Sequence, residues 1–520
     1  MLDCSRNAVM HLDARKKFIK FLSSVGYNAL QLYTEDTYEI DGEPLFGYMR
    51  GRYTAKELRE ADEFAKHCGV ELIPCIQTLG HLDQLFSWKR FQTIQDIYNI
   101  LLAGDENTYN LIDKMMATCA ACFTSRRINI GMDEAHMTGL GKYLDRNGYT
   151  PRAEILAKHL ERVCAIAEKY GFKPMMWSDL FFNGYKSGAD SPACAVSAQT
   201  DLIYWDYEPT EREHYSRILQ DHQALGRKIW FAGCVKTGRT FNAANEKYMK
   251  SLSASLAACK EQNVNNVIIT VWGDYGNECL TSAVLPSLTY AACVYHGESE
   301  MTAKRKFEKV TGEKWDDFLA LDMKMPESFP KKTPYDNAAK TMLYSDCFSG
   351  RYDSMVFGDG REKKEYARMA EKFAEISSRS RNYSGLFDLY RRLCEILSVK
   401  YDLGYLTRLY YQSGETGKLQ SLLPDYTRLI PMLEEFVDVY GRQWRKENKP
   451  QGFDVLELRL GGLIRRIKSC AKRLEAYLKG TCSGIDELEE KLVYDAQDDL
   501  LCRKMADVGN YTILATVNRV

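Results

Sequence analysis

The chain has 520 residues, 45% of them hydrophobic, which is enough for two or three domains with sizeable cores. Lys and Arg number 70 against 71 Asp and Glu, a net charge of -1. That balance gives no field to steer the chain onto nucleic acid or an anionic membrane, and it suits a neutral ligand such as a sugar.

The first residues, Met1 to Arg15, carry Asp3, Arg6 and Asp13 and no apolar stretch of the kind a signal peptide needs. No run of about 18 apolar residues offers a membrane span. The expectation is an unexported, cytoplasmic protein. From there to about residue 295, short apolar runs alternate with amphipathic ones. Met1-Leu2-Asp3 reads as a first strand. Tyr27–Tyr33 follows, then a helical pattern over Thr54–Cys68. The run Val70–Gln77 precedes a helix near Thr108–Cys122, and Arg127–Met132 precedes a helix over Pro151–Tyr170. Lys173–Trp177, Leu202–Trp205, Lys228–Ala232 and Asn266–Trp272 complete the set. Short, near-continuous apolar strands alternating with helices imply buried parallel strands. Eight such units over about 295 residues fit a TIM barrel. An open doubly wound sheet would call for a glycine-rich phosphate turn after the first strand, and there is none.

Sixteen cysteines are scattered through apolar segments and read as reduced, small core residues. Cys119 and Cys122 form a C-x-x-C within an Ala-rich helical run with no second pair nearby, which argues for core rather than zinc or redox chemistry. Beyond about Ser328 clear strands end. Leu386, Leu389, Leu393 and Ile396 recur at helical spacing, as do Leu456, Leu460, Leu463, Ile467, Cys470 and Leu474. The expected fold is therefore α/β, a (β/α)₈ TIM barrel over residues 1–300 followed by an all-α domain of five or six helices over 301–520. The stripe from Leu456 to Leu474 needs a partner surface, either the barrel or a second copy in a homodimer. Gly461-Gly462 within it is costly in a helix, and close packing on another backbone is the expected reason.

In a TIM barrel the chemistry sits at the C-terminal ends of the strands. Those positions hold Asp3 and Arg6, Glu35 and Asp36, Gly80 and His81, then Asp133-Glu134. After them come Trp177 and Asp179, Trp205-Asp206-Tyr207, and Trp272, Asp274 and Glu278. The set lacks a Cys/His ligand cluster, a phosphate loop and an H-E-x-x-H, so no metal and no cofactor is expected, with Mg²⁺- or Ca²⁺-dependent hydrolysis on the acidic residues as the alternative. Carboxylates with aromatic platforms suit a sugar, whose hydroxyls need acceptors and whose apolar face stacks on indole. Asp133-Glu134 could be a helix N-cap pair, but Ala135–Gly141 carries two glycines and is a poor helix start. Two adjacent acids also fit glycoside hydrolysis of a 2-acetamido sugar. One acid protonates the leaving oxygen, and the other orients the acetamide that attacks the anomeric carbon.

Asp3-Cys-Ser-Arg6, Leu32–Glu39, Gln77–His81, Gly131–Ala135, Met176–Asp179 and Val271–Asp274 together resemble the glycoside hydrolase family 20 β-N-acetylhexosaminidases. The likeness is to the intracellular type with a helical C-terminal domain. It implies an exo-acting retaining enzyme that removes terminal β-linked N-acetylglucosamine or N-acetylgalactosamine through an oxazolinium intermediate. It implies Glu134 as acid and then base, and Asp133 as the acetamide orienter. Arg6 would grip the 3- and 4-hydroxyls, Asp36 and His81 would support Glu134, and Trp177, Trp205 and Trp272 would wall the sugar. Tyr207 would hold the acetamide carbonyl, with Asp274 and Glu278 meeting the 4- and 6-hydroxyls. Relatives of this type carry an α/β domain ahead of the barrel. Here only Met1 and Leu2 precede Asp3, so that domain is expected to be absent and the first strand clipped, short or poorly paired. Two alternatives stand beside this reading. One is a double-displacement β-glycosidase with Glu134 as acid/base and Glu278 as nucleophile. Such enzymes carry Asn before the acid, whereas ionised Asp133 can only accept. The other is an inactive sugar-binding relative.

Overall fold

Runs such as Ala29-Leu-Gln-Leu-Tyr-Thr34 and Ile229-Trp-Phe-Ala-Gly-Cys-Val-Lys236 are buried along almost their whole length, as strands covered on both faces must be. In the computed structural model, eight of them close into a parallel barrel in strict chain order. They are β1 (Leu2–Asp3), β2 (Ala29–Thr34), β3 (Glu71–Ile76), β4 (Arg127–Asn129), β5 (Lys173–Trp177), β6 (Asp201–Trp205), β7 (Ile229–Lys236) and β8 (Val267–Trp272). The structure describes residues 1–180, 200–238, 240–329, 338–350, 352–353 and 356–492.

Two of the crossover helices start where a side chain supplies a cap. Thr54 and Glu57 form a reciprocal capping box at the head of Ala55–His67, and Asp105 accepts from the Asn107 amide at the head of Glu106–Cys122. Cys119 and Cys122 are both buried on that second helix, and burial pushes both thiols up. No described helix is long and apolar enough to cross a membrane.

β1 departs from the expectation of poor pairing. It has two residues, yet Leu2 lies opposite both Leu32 and Val271, and Asp3 opposite Tyr33. The Val271 amide donates to the Met1 carbonyl at 2.8 Å and the Cys4 amide to the Tyr33 carbonyl at 3.0 Å. Hydrogen bonds to both neighbours let a short strand close the wall.

The chain falls into two compact units. The first comprises Met1–Val235, Asn245–Gly273 and Leu285–Val310. The second comprises Lys236–Ala244, Asp274–Val284 and the chain from Thr311 onward. Residues 493–520, at the end of the expected helical domain, lie outside the described residues. In the second unit Arg361–Arg379 packs on Ser384–Lys400, and Leu423–Glu447 packs on both Ser384–Lys400 and Phe453–Leu478. The stripe from Leu456 to Leu474 is buried. Its cover therefore includes Leu423–Glu447 of the same unit, a surface not foreseen when the barrel or a second copy was expected. Gly461 and Gly462 are exposed, and a Cβ at either would meet nothing within 4 Å. The expected close backbone approach at these glycines is corrected accordingly.

Candidate active site

The turn after β4 places two adjacent carboxylates in opposite environments. Gly131, Met132 and Glu134 all take left-handed backbone conformations, with φ of 74°, 70° and 50°. Only glycine fits at 131, because a Cβ there would lie 2.2 Å from Gln77 Oε1 and 2.9 Å from the Ile76 carbonyl. The Asp133 side chain is 9% exposed and that of Glu134 52%. Gln77 donates from Nε2 to Asp133 Oδ1 at 2.9 Å and to the Tyr33 hydroxyl at 3.0 Å. The Glu134 amide donates to Asp179 Oδ2 at 2.9 Å.

His81 bridges the pair. Its Nε2 lies 3.3 Å from Glu134 Oε2 and its Nδ1 3.6 Å from Asp133 Oδ2. Burial disfavours the imidazolium, but Asp133 and Glu134 outweigh it and push the pKa up to about 9. The hydrogen bond from His81 in turn holds Glu134 below the usual carboxylate range. Burial, followed by the Asp133 charge, raises Asp179 to about 7.

Arg6 faces the same space from β1. Its guanidinium lies 3.4 Å from Asp3 Oδ2, 3.4 Å from the Tyr33 hydroxyl and 3.8 Å from Glu35 Oε1. It stacks over Trp272 at 4.7 Å and Tyr33 at 5.0 Å. Asp3 fixes this end of the chain, since it also accepts from the Ser5, Arg6 and Gly273 amides. Aromatic rings continue the wall. Trp272 meets Tyr33 edge-on at 4.9 Å and Trp177 at 6.0 Å. It also donates from Nε1 to the Tyr207 hydroxyl at 3.0 Å. Tyr207 stacks on Trp205 at 5.2 Å, and Trp205 Nε1 donates to Asp179 Oδ1 at 3.3 Å. Trp177 Nε1 is buried with no acceptor among the described residues.

Residues 1–268 match the model of the glycosyl hydrolase family 20 catalytic domain. The chain belongs to glycoside hydrolase family 20. Residues 316–505 match the glycoside hydrolase 20C C-terminal domain. Among curated proteins the chain is similar to Hexosaminidase D of Bos taurus, 21% identical over 56% of this chain and 89% of that protein. Hexosaminidase D of Homo sapiens is 21% identical over 58% and 68%. Among solved structures, a family 20 exo-β-N-acetylglucosaminidase of Vibrio harveyi in complex with N-acetylglucosamine is 16% identical with a TM-score of 0.47. That match covers 60% of this chain, which spans 57% of the Vibrio chain.

Two site expectations for this family 20 chain are corrected by the geometry. Asp36 is 1% exposed and its carboxylate is held by Arg50, which also donates to the Ser5 carbonyl. It forms no bond with His81 among the described contacts. Side chains alternate along β2 and just beyond it, so Glu35 shares the face of Tyr33, whose hydroxyl donates to it at 3.2 Å. Glu35 is thus the β2 carboxylate beside Arg6. Glu278 belongs to the second unit, where its side chain is fully buried. It is ion-paired with Lys340, lies 3.2 Å from Arg459 and accepts from the Tyr344 hydroxyl at 2.8 Å. With its charge matched and no open face, it serves neither as a hydroxyl ligand nor as the nucleophile of a double displacement. Asp274, half-buried, opens the turn Asp274–Gly276 in that same unit. Tyr33, Gln77, Glu35 and Asp179 were given no role in the sequence reading. The parity of β2 pointed to Glu35 and Tyr33, whereas Gln77 and Asp179 act through partners on other strands that no local pattern reveals.

Proposed function

We propose that this chain is a retaining exo-β-N-acetylhexosaminidase acting by substrate assistance. Membership of family 20 supports the hydrolase class. The observation that carries the reading is the adjacent pair itself: Asp133 buried and bonded to Gln77, Glu134 half-exposed at the mouth. On this reading the acetamide carbonyl oxygen of the bound sugar attacks C1 while Glu134 delivers a proton to the glycosidic oxygen. The C1–O bond breaks, the aglycone leaves as an alcohol, and a cyclic oxazolinium remains. Asp133 accepts the acetamide N–H and balances the new positive charge, and the Tyr207 hydroxyl donates to the acetamide carbonyl. Glu134, now a carboxylate, takes a proton from water, whose oxygen attacks C1 and reopens the ring. Two inversions at C1 give retention.

On this reading His81 holds the pair's proton at rest. The His81 imidazole, pushed up to about 9, and the Glu134 carboxyl, lowered by it, face each other at 3.3 Å. Transfer across that contact arms Glu134 as the acid. Arg6 suits hydroxyls of a terminal sugar, Trp205 and Trp272 its ring, and Trp177 Nε1, which has no acceptor among the described residues, an oxygen of the ligand.

The test compares an aryl N-acetyl-β-glucosaminide with the matching aryl β-glucoside. Without the acetamide no oxazolinium can form, so the glucoside is expected to be turned over negligibly. Comparable rates on the two would reject the mechanism, and no hydrolysis of either would favour the sugar-binding reading.

A further inference from the structure

We infer that Asp179 is a positioning residue for the general acid, holding the left-handed Glu134 backbone with one carboxylate oxygen and the Trp205 indole with the other. The inference rests on the hexosaminidase reading. Glu134 sits at φ 50° directly after a turn with two more left-handed residues. A non-glycine residue keeps such a conformation only where its surroundings over-determine it. Asp179 Oδ2 accepts the Glu134 amide at 2.9 Å, and Oδ1 accepts Trp205 Nε1 at 3.3 Å. One side chain from the end of β5 thereby joins the end of β4, which carries the acid, to the end of β6, which carries an aromatic wall. Next to it, Ser178 is bonded to His222 at 2.9 Å, which anchors the strand end from which Asp179 projects. Burial and the Asp133 charge raise the Asp179 pKa, so the pocket keeps a destabilised carboxylate at this point, as sites with a functional demand do.

The chemistry of the clamp requires two acceptors. Asparagine has the same shape but only one acceptor oxygen, so one of the two N–H donors would face another N–H. Asp179→Asn should therefore let Glu134 drift, and its loss should look like a partial loss of the acid. With a poor leaving group such as a disaccharide, kcat should fall on the order of 10²-fold, the scale of a misplaced catalytic group. With a dinitrophenyl leaving group, which needs little protonation, the fall should be less than about threefold. In the Glu134→Gln background the same substitution should cost nothing more. Trp205→Phe, which removes the second donor and part of the aromatic wall but leaves the Glu134 amide contact, should raise KM and leave the leaving-group dependence of kcat as in the wild type.

The experiment measures kcat and KM of wild type, the three single variants and the Asp179→Asn/Glu134→Gln double variant on both substrates, with thermal unfolding alongside. A leaving-group-dependent loss for Asp179→Asn that vanishes in the double variant supports the assignment. An equal loss on both substrates, or losses that add in the double variant, overturns it while leaving the hexosaminidase reading intact. If Asp179→Asn does not fold, Trp205→Phe decides: a steepened leaving-group dependence there would break the division between the two oxygens, and a pure KM effect supports it. A wild type inactive on both substrates rejects the hexosaminidase reading itself, and this inference with it.

Discussion

At the scale of single residues, His81 sets the pH behaviour. Its pKa in the folded chain, about 9, lies above the ordinary 6.5. The stability it contributes is therefore complete below about 6.5 and is lost as pH rises through about 9. If the acid draws its proton from the His81–Glu134 pair, kcat/KM should fall over the same alkaline window. In His81→Asn the imidazole reservoir is gone, and the alkaline limb should move to lower pH. An unmoved limb would show that the proton comes from elsewhere. Gly131 makes a steric prediction. An alanine Cβ there would run into Gln77 Oε1 and the Ile76 carbonyl at a φ of 74°, and Gln77 is the residue that holds Asp133. Gly131→Ala should lower stability by about 1–3 kcal/mol and kcat together, as chemical denaturation and steady-state rates would show.

At the scale of elements, most strands were legible because apolar runs bounded by polar positions and turns leave little choice of element. Lys173–Trp177 was read to the residue, and Val267–Trp272 to within one. The ends were harder to read. The strand β4 spans only Arg127–Asn129, although Ile130 and Gly131 still bond to Met175 and Trp177, because Gly131 and Met132 turn left-handed while the run still looks apolar in sequence. The pairing of β1 depends on Val271 and Leu32, partners far away in the chain. Gly461 and Gly462 were misread for the same reason, since propensity says that a helical glycine is costly but not what stands opposite it. Because open space lies there, Gly461→Ala and Gly462→Ala should each stabilise helix Phe453–Leu478 by about 0.5–1 kcal/mol. Denaturant midpoints would check this, and a loss of stability would mean that a neighbour does need the room.

At the scale of the whole molecule, the order of eight strands was legible from the alternation of apolar and amphipathic runs, whereas the described residues hold helices from Leu285 onward, ahead of the change expected near Ser328. The composition of the two units was not legible. Segments 236–244 and 274–284, which flank β7 and β8 in the chain, belong with the helical unit. Glu278 followed them out of the list of sugar ligands, because its partners Lys340, Arg459 and Tyr344 lie 62, 181 and 66 residues further along the chain. Its replacement should therefore be a stability lesion. Glu278→Ala leaves two buried cations without their carboxylate and should cost about 3–5 kcal/mol in unfolding free energy. A raised KM at unchanged stability would return Glu278 to the binding site.

The division of labour between Asp133 and Glu134 is tested most directly by a leaving-group series of aryl N-acetyl-β-glucosaminides on Glu134→Gln and Asp133→Asn. Glu134→Gln lacks the proton donor, so its kcat/KM should depend steeply on leaving-group pKa, with a deficit on the order of 10²–10⁴ for poor leaving groups. Asp133→Asn misaligns the acetamide and removes the counter-charge to the oxazolinium, so its loss should be uniform along the series. Exchanged slopes, or a loss smaller than about tenfold for both variants, a value below the usual range for such groups, would contradict the account.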